Sequence, residues 1–191
     1  MAVPHEEAAP LVPADAAPDR DQWDRLGSSS VVDVHLIFDR QVSRWPVMAG
    51  HNSPVQWVFD RSRASGLAEQ NPSRQYLAVS LSAADHLLGE RPEALVTSTV
   101  RALALLVPAV DGARLVDSTV TKERRATFRA APGTAAIRPR PETAQAGLVL
   151  AGAWTATGWP ATMEGAVRSG VAAARSLASQ PITAPISQEV A

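Results

Sequence analysis

The most constraining stretch of this sequence is Leu148 to Gly170, reading LVLAGAWTATGWPATMEGAVRSG. Four apolar residues, Leu148-Val149-Leu150-Ala151, predict a short strand buried on both faces. The strand stops at Gly152, where the backbone can approach another group closely. A loop follows, and a helix is expected over about 160–178 with Pro160 in its first turn. The N–H groups of Ala161, Thr162 and Met163 are then unpaired, and the positive end of the helix dipole points outward. Such an end suits a ligand carrying partial or full negative charge. Gly165, Ala166, Gly170, Ala173 and Ala174 keep the helix thin, so that it can lie close against a sheet or a cofactor. Glu164 and Arg168 are spaced to pair on its outer face, worth about 0.2–0.5 kcal/mol. On these grounds alone, a tightly packed Ala/Gly helix without a ligand is an equal alternative.

Upstream, the pattern is that of a sheet. Residues 1–30 read as irregular and short-helical, because Pro4, Pro10, Pro13 and Pro18 break any long helix and Gly27 to Ser30 reads as a loop. Val32, Val34, Leu36 and Phe38 then alternate with Asp33, His35 and Asp39, which predicts a strand with one covered face. A second alternation sets Val55, Trp57 and Phe59 on one face and Gln56, Val58 and Asp60 on the other. Tyr76 to Ser82 reads as a third strand, giving an antiparallel-type meander. A helix is expected over 91–107, started by Pro92 and striped by Leu95, Val96, Thr99, Val100, Leu103, Leu106 and Val107. Leu115 to Phe128 reads as a strand with a basic end at Lys122, Arg124, Arg125 and Arg129. Pro132-Gly133, Pro139, Pro141 and Gly147 mark turns and a linker-like loop before the terminal segment.

Composition narrows the chemistry. The 191 residues carry a net charge of −1 and contain no cysteine, and hydrophobic residues make up 46%. No basic field is present to hold a nucleic-acid backbone, so no nucleic-acid partner is expected. Disulfides, thiolate metal sites and a cysteine nucleophile are excluded. The longest apolar run, Ala102 to Val110, contains Pro108 and is far short of a membrane-spanning helix. His5-Glu6 begins like a zinc-protease motif, but position 9 is Ala9, and His35, His51 and His86 are isolated in sequence, so no metal site is expected. Neither a Gly-x-Ser-x-Gly elbow nor a glycine-rich phosphate loop occurs. The basic cluster at 122–129 could bind an anion, although a solvated strand edge is the better reading.

The segment Leu148 to Gly170 resembles the C-terminal flavin-contacting motif of the FAD-dependent amine oxidase and phytoene desaturase superfamily. More narrowly, Gly158-Trp-Pro-Ala-Thr-Met-Glu-Gly-Ala-Val-Arg-Ser-Gly170 is similar to the bacterial hydroxysqualene dehydroxylases. Val3-Pro-His-Glu-Glu-Ala8, Ser53-Pro-Val-Gln-Trp-Val-Phe-Asp-Arg61 and Thr121-Lys-Glu-Arg-Arg-Ala-Thr-Phe-Arg129 agree with that branch. The likeness spans most of residues 1–179. It implies an α/β fold of α+β character: a mixed or antiparallel substrate-domain sheet, with a C-terminal strand-loop-helix completing an FAD domain. It implies FAD as cofactor, with Gly152 and Ala153 beside the ribityl–pyrophosphate part and Trp159, Pro160, Ala161, Thr162 and Met163 along the isoalloxazine edge. The Met163 N–H is the implied donor to the flavin C2 carbonyl. Trp57 and Phe59 would suit the roof of a tunnel for an isoprenoid chain, with ordinary core packing an equal alternative.

Two departures from the family pattern stand out. Position 153 is Ala where the family usually has an acidic residue, and the N-terminal dinucleotide-binding βαβ unit is missing. The expectation is therefore the C-terminal part of an FAD-dependent oxidoreductase, with residues 1–130 a partial substrate-binding domain, 131–179 a flavin-contacting segment and 180–191 a frayed tail. The resemblance implies conversion of hydroxysqualene to squalene in the complete enzyme, with weak or absent FAD binding by this chain alone. It also implies a separately encoded FAD-binding half as partner and a cytoplasmic location with peripheral membrane contact. No residue has a claim to acid or base catalysis. Two alternatives stay open: the same chemistry on another substrate, such as a carotenoid precursor or an amine, and a non-catalytic interaction module or remnant.

Overall fold

The computed structural model describes residues 1–180, so the expected tail lies outside the described residues except for Gln180. Two compact units form, Ser28–Ala126 and Met1–Gly27 together with Thr127 onward. The second junction falls between Ala126 and Thr127. Residues 1–27 join the C-terminal segment and not the sheet. The reason is packing: Ala8, Val12, Trp23 and Leu26 share a buried cluster with Phe128, Leu150 and Trp154.

The unit Ser28–Ala126 is built on a five-stranded sheet in the order β2-β3-β4-β1-β5. Its strands are β1 (Ser28–Phe38), β2 (Val47–Ala49), β3 (Trp57–Asp60), β4 (Gln75–Ser82) and β5 (Leu115–Phe128). β2-β3-β4 form a meander of antiparallel pairs in which the unexpected β2 takes the place expected for β1, and β1 lies beyond β4, antiparallel to it, with Val34 opposite Val79. β1 also starts at Ser28, so the expected loop at Gly27–Ser30 is confined to Gly27, whose φ is +56°. The alternation in β1 holds, and Val32, Val34, Leu36 and Phe38 are all buried. Each such burial contributes about 1.5–3 kcal/mol.

Those residues face α3 (Pro92–Leu106), which begins at Pro92 after an extended Arg91 and ends where Val107 leaves the helical conformation ahead of Pro108. Leu95, Thr99, Ala102 and Leu103 make its buried stripe. A cavity of about 460 Å³ opens on this side of the sheet, lined in part by Trp45, Met48, Leu103 and Leu106. Gln75 is 2% exposed and ties the sheet to the loop after β1. Its amide oxygen accepts from the N–H groups of Val42 and Ser43 at 2.7 and 2.9 Å, and its nitrogen donates to the Ser43 carbonyl and to Asp60. The short helix α2 (Leu67–Gln70) sits in the polar loop between β3 and β4.

The other unit holds α1 (His5–Leu11) and α4 (Met163–Ala178), with a 3-10 helix at Arg20–Leu26. α1 continues through Pro10 and stops one residue later, so that proline marks its end and not its interior. In Leu148–Ala151, Val149 and Leu150 are buried as expected, but the segment forms only an isolated bridge, Val149 with Glu142. Its backbone partners are Met1, which bonds on both sides of Leu150, and Pro141, which accepts from Leu150 at 2.7 Å. Among the described residues no helix is long and apolar enough to cross a membrane.

Candidate functional site

The loop from Gly152 to Thr162 is organised by a residue the sequence analysis did not single out. Arg138 donates to the carbonyls of Ala153, Trp154 and Trp159 at 2.9, 3.3 and 2.9 Å, and to those of Thr155 as well. It also reaches the Thr157 hydroxyl at 3.2 Å and lies over the Phe128 ring. A guanidinium offers five donors in a rigid fork, so one side chain can gather several carbonyls of a tight loop. Burial lowers its pKa from the ordinary arginine value, although an arginine stays charged. Nothing local in the sequence marks this role, because the acceptors are backbone carbonyls present in every residue.

At the start of the loop, Gly152 adopts φ +148°, and a Cβ there would meet the Trp154 indole at 2.4 Å. The glycine therefore admits a neighbouring side chain of this same loop. Its N–H is committed to the Ser169 hydroxyl of α4 at 2.8 Å. Trp154 is buried, donates its indole N–H to the Val3 carbonyl at 2.9 Å, and packs on Trp23 with ring centroids 5.1 Å apart.

At the other end, the helix begins later than expected. α4 starts at Met163, so Pro160 lies outside its first turn. Thr162 is the N-cap, and its hydroxyl accepts from the Gly165 N–H at 3.1 Å, a cap worth about 1 kcal/mol. The Thr162 N–H, expected to be unpaired, donates to the Pro160 carbonyl at 2.8 Å. The first intrahelical bond runs from Ala166 to Thr162, which leaves the N–H groups of Met163 and Glu164 ahead of the ladder. Gly165 is needed for the entry turn, because a Cβ there would sit 2.5 Å from the Pro160 carbonyl. Trp159 and Met163 are exposed; Arg168 covers the Trp159 ring at 4.2 Å and pairs with Glu164 at 2.7 Å, as the spacing predicts.

In the sheet unit, the strand registers set a second group of side chains on the face opposite α3. Trp57 is opposite Ala49 and Ser80, and Phe59 is opposite Val47 and Ala78. Val58, which the sequence pattern set on the other side, is the buried core residue of β3, while Trp57 is 48% exposed. Core packing is thus not the role of Trp57; its ring stacks on Phe59 at 6.5 Å. On the same face, the Tyr76 hydroxyl is 2.8 Å from His35 Nδ1, and the Thr121 hydroxyl is 3.3 Å from Nε2. In the sequence, His35 stands out only as a histidine on the polar side of the first strand, isolated from the others.

The remaining candidates resolve plainly. Among the described residues no group of three His, Cys, Asp or Glu could hold a metal ion. Lys122, on edge strand β5, gives its ammonium to the carbonyls of Leu88 and Glu90.

A family model described as flavin containing amine oxidoreductase matches residues 1–178. The chain belongs to that family. It is 36% identical to a hydroxysqualene dehydroxylase of Sinorhizobium fredii over 174 residues, covering 91% of this chain and 37% of the relative. Identity to the hydroxysqualene dehydroxylase of Rhodopseudomonas palustris is 33% with the same coverage. A 15-cis-phytoene desaturase of an Oncidium hybrid cultivar is 30% identical, with 80% of this chain and 27% of the relative covered. The chain thus spans 37% of the length of these hydroxysqualene dehydroxylases and 27% of that of the phytoene desaturase. Among solved structures, cyclohexylamine oxidase from Brevibacterium oxydans aligns at a TM-score of 0.63 and 15% identity, over 93% of this chain and 42% of that one. An oxidoreductase from Methanosarcina mazei aligns at 0.62 and 17%, over 90% and 41%. These structural likenesses show a mixed α/β fold that corresponds to 41–42% of those chains.

For a flavoprotein of this family, the two ends of the loop differ in what they offer a flavin. The α4 terminus fits: two N–H groups precede the ladder, and the exposed Trp159 ring stands beside them. At Gly152 and Ala153 the polar groups in view are already used, the Gly152 N–H by Ser169 and the Ala153 carbonyl by Arg138.

Proposed function

We propose that this chain supplies the substrate-facing sheet and the flavin-edge helix of an FAD-dependent oxidoreductase that converts hydroxysqualene to squalene. The observation that carries this reading is the similarity to hydroxysqualene dehydroxylases along nearly the whole chain. The aromatic sheet face bearing Trp57 and Phe59 supports it, because a long hydrocarbon needs a wide apolar surface. Reduced flavin, when bound, supplies the hydride that replaces the hydroxyl, which leaves with a proton as water.

The residues of this chain act around that chemistry. Trp159 to Met163 line the isoalloxazine edge, and the N–H groups of Met163 and Glu164 face negative charge on the flavin ring. A helix terminus stabilises such charge by about 0.3–1 kcal/mol when exposed and by more when dry. Trp57 and Phe59 hold the hydrocarbon. None of the 191 residues forms a glycine-rich phosphate loop, so firm retention of FAD rests on a dinucleotide-binding half acting as partner.

The test is purification of the 191-residue chain alone and together with a dinucleotide-binding half that carries Gly-x-Gly-x-x-Gly. The chain alone is expected to lack stoichiometric flavin, and the pair is expected to retain it and to form squalene from hydroxysqualene. Stoichiometric flavin absorbance on the chain alone would refute the need for a second half. Failure of the halves to associate would favour a non-catalytic interaction module. Turnover of a carotenoid precursor or an amine in place of hydroxysqualene would reassign the substrate.

A further inference from the structure

On the sheet face that carries Trp57 and Phe59, Val47, Ala49 and Ala78 stand in register with the two rings, Ser80 and Asp33 continue the row of Trp57, and Ile37 is opposite Tyr76. One linked polar group crosses three strands of this face. Tyr76, His35 and Thr121, from β4, β1 and β5, form a chain of two hydrogen bonds through the imidazole, Tyr76 to Nδ1 at 2.8 Å and Thr121 to Nε2 at 3.3 Å. Tyr76 is the sole tyrosine of the sequence.

Counting hydrogens decides what this group lacks. A neutral imidazole has one N–H and one lone pair. If Nδ1 accepts from Tyr76, Nε2–H donates to Thr121 and the threonine O–H is left over. If Nδ1–H donates to Tyr76, Nε2 accepts from Thr121 and the tyrosine O–H is left over. With the imidazole protonated, both hydroxyls accept and both keep their hydrogens. Every arrangement ends in at least one spare O–H donor and no spare imidazole lone pair, so the group seeks an acceptor oxygen. Once a hydrocarbon covers the face and removes water, an unmet donor costs more than in water.

We infer that the Tyr76–His35–Thr121 chain is the site that receives the hydroxyl oxygen of an otherwise hydrocarbon ligand. This rests on the isoprenoid reading above and deepens it, because it names the feature of the ligand that is recognised. The two rings and the apolar residues in register with them accept any polyprenyl chain. The hydroxyl site tells an alcohol from the hydrocarbon that lacks it and fixes which carbon of a long, repetitive chain lies over His35. Tyr76 and Thr121 are thereby specificity-determining residues, and His35 positions both.

The test uses the 191-residue chain with geranylgeraniol and squalene, each presented in the same detergent micelles, and follows the ring nitrogens of its four histidines by NMR. The His35 signals, assigned with His35→Gln, are expected to shift saturably with the alcohol and to stay in place with squalene. Tyr76→Phe and the more exposed Thr121→Val are each expected to weaken alcohol binding about fivefold to tenfold, leaving squalene binding as it was. Thr121→Val decides the matter should Tyr76→Phe fail to fold. Equal binding of the two ligands, or alcohol binding that leaves His35 unmoved, overturns this inference and spares the isoprenoid reading. Binding of neither ligand overturns both.

Discussion

Arg138 Nη1 donates to the carbonyl of Trp159 at 2.9 Å, across 21 positions of sequence. The same guanidinium holds the carbonyls of Ala153, Trp154 and Thr155, so one side chain spans both ends of the loop that leads into α4. The place of Trp159 is set by Arg138 together with Thr157 of the loop itself, whose hydroxyl accepts from the Trp159 N–H at 3.2 Å.

Replacing Arg138 tests this directly. Arg138→Lys keeps the charge but cannot form the fork, and Arg138→Met removes both. Either is expected to cost about 1–3 kcal/mol, because several carbonyls lose a charged donor together. The check is a urea titration followed by tryptophan fluorescence, with hydrogen exchange across 153–159 showing where protection is lost. Wild-type stability for Arg138→Lys would show that charge alone suffices.

Gly152 permits the packing of Trp154. In Gly152→Ala, the added Cβ would lie 2.4 Å from the indole nitrogen, at a φ that side chains rarely adopt. The expected cost is about 1–3 kcal/mol, together with loss of the indole bond to Val3. Near-ultraviolet circular dichroism reports the displaced tryptophan, and thermal unfolding reports the cost. An unchanged aromatic spectrum would show that the ring is not confined.

His5 makes the C-terminal unit sensitive to mild acid. It is 4% exposed, its Nδ1 lies 3.2 Å from Glu6, and its Nε2 has no partner among the described residues. Burial lowers its pKa against the opposing pull of Glu6 and Asp24. The unfolded chain then takes up the proton first, at about pH 6.5, so stability is full above that value. It declines as pH falls, until the folded state is protonated too. Urea midpoints between pH 7.5 and 5 should fall for the wild type and change less for His5→Gln. Parallel curves would assign the acid response to other groups.

Much of the sheet was legible because it depends on local alternation. Val32 to Phe38 and Gln75 to Ser82 bury every second residue, and Pro92 starts a helix whose stripe faces them. In β3 the alternation held but did not mark the covered side: Val58 is the core position and Trp57 is turned outward. Its short alternation is apolar on both sides, and only pairing with β2 and β4 selects which side is buried. The same holds for α4. Pro160 at a helix start is a sound local signal, yet the Pro160 carbonyl is used by Thr162 and the ladder begins at Met163.

The sequence by itself determined the family, through the residues from Gly158 to Gly170 and the stretches that agree with them, and it determined the strands and helices that a strict period specifies. Only the tertiary structure decided that β1 pairs with β4, that residues 1–27 pack with the C-terminal segment, and that Arg138 gathers the loop before α4. It alone brought His35, Tyr76 and Thr121 together from three strands. The physical reason is common to all of these. Periodicity is written in neighbouring residues, whereas a hydrogen bond to a distant carbonyl, or a face shared by strands 41 and 86 positions apart, exists only once the chain has closed on itself.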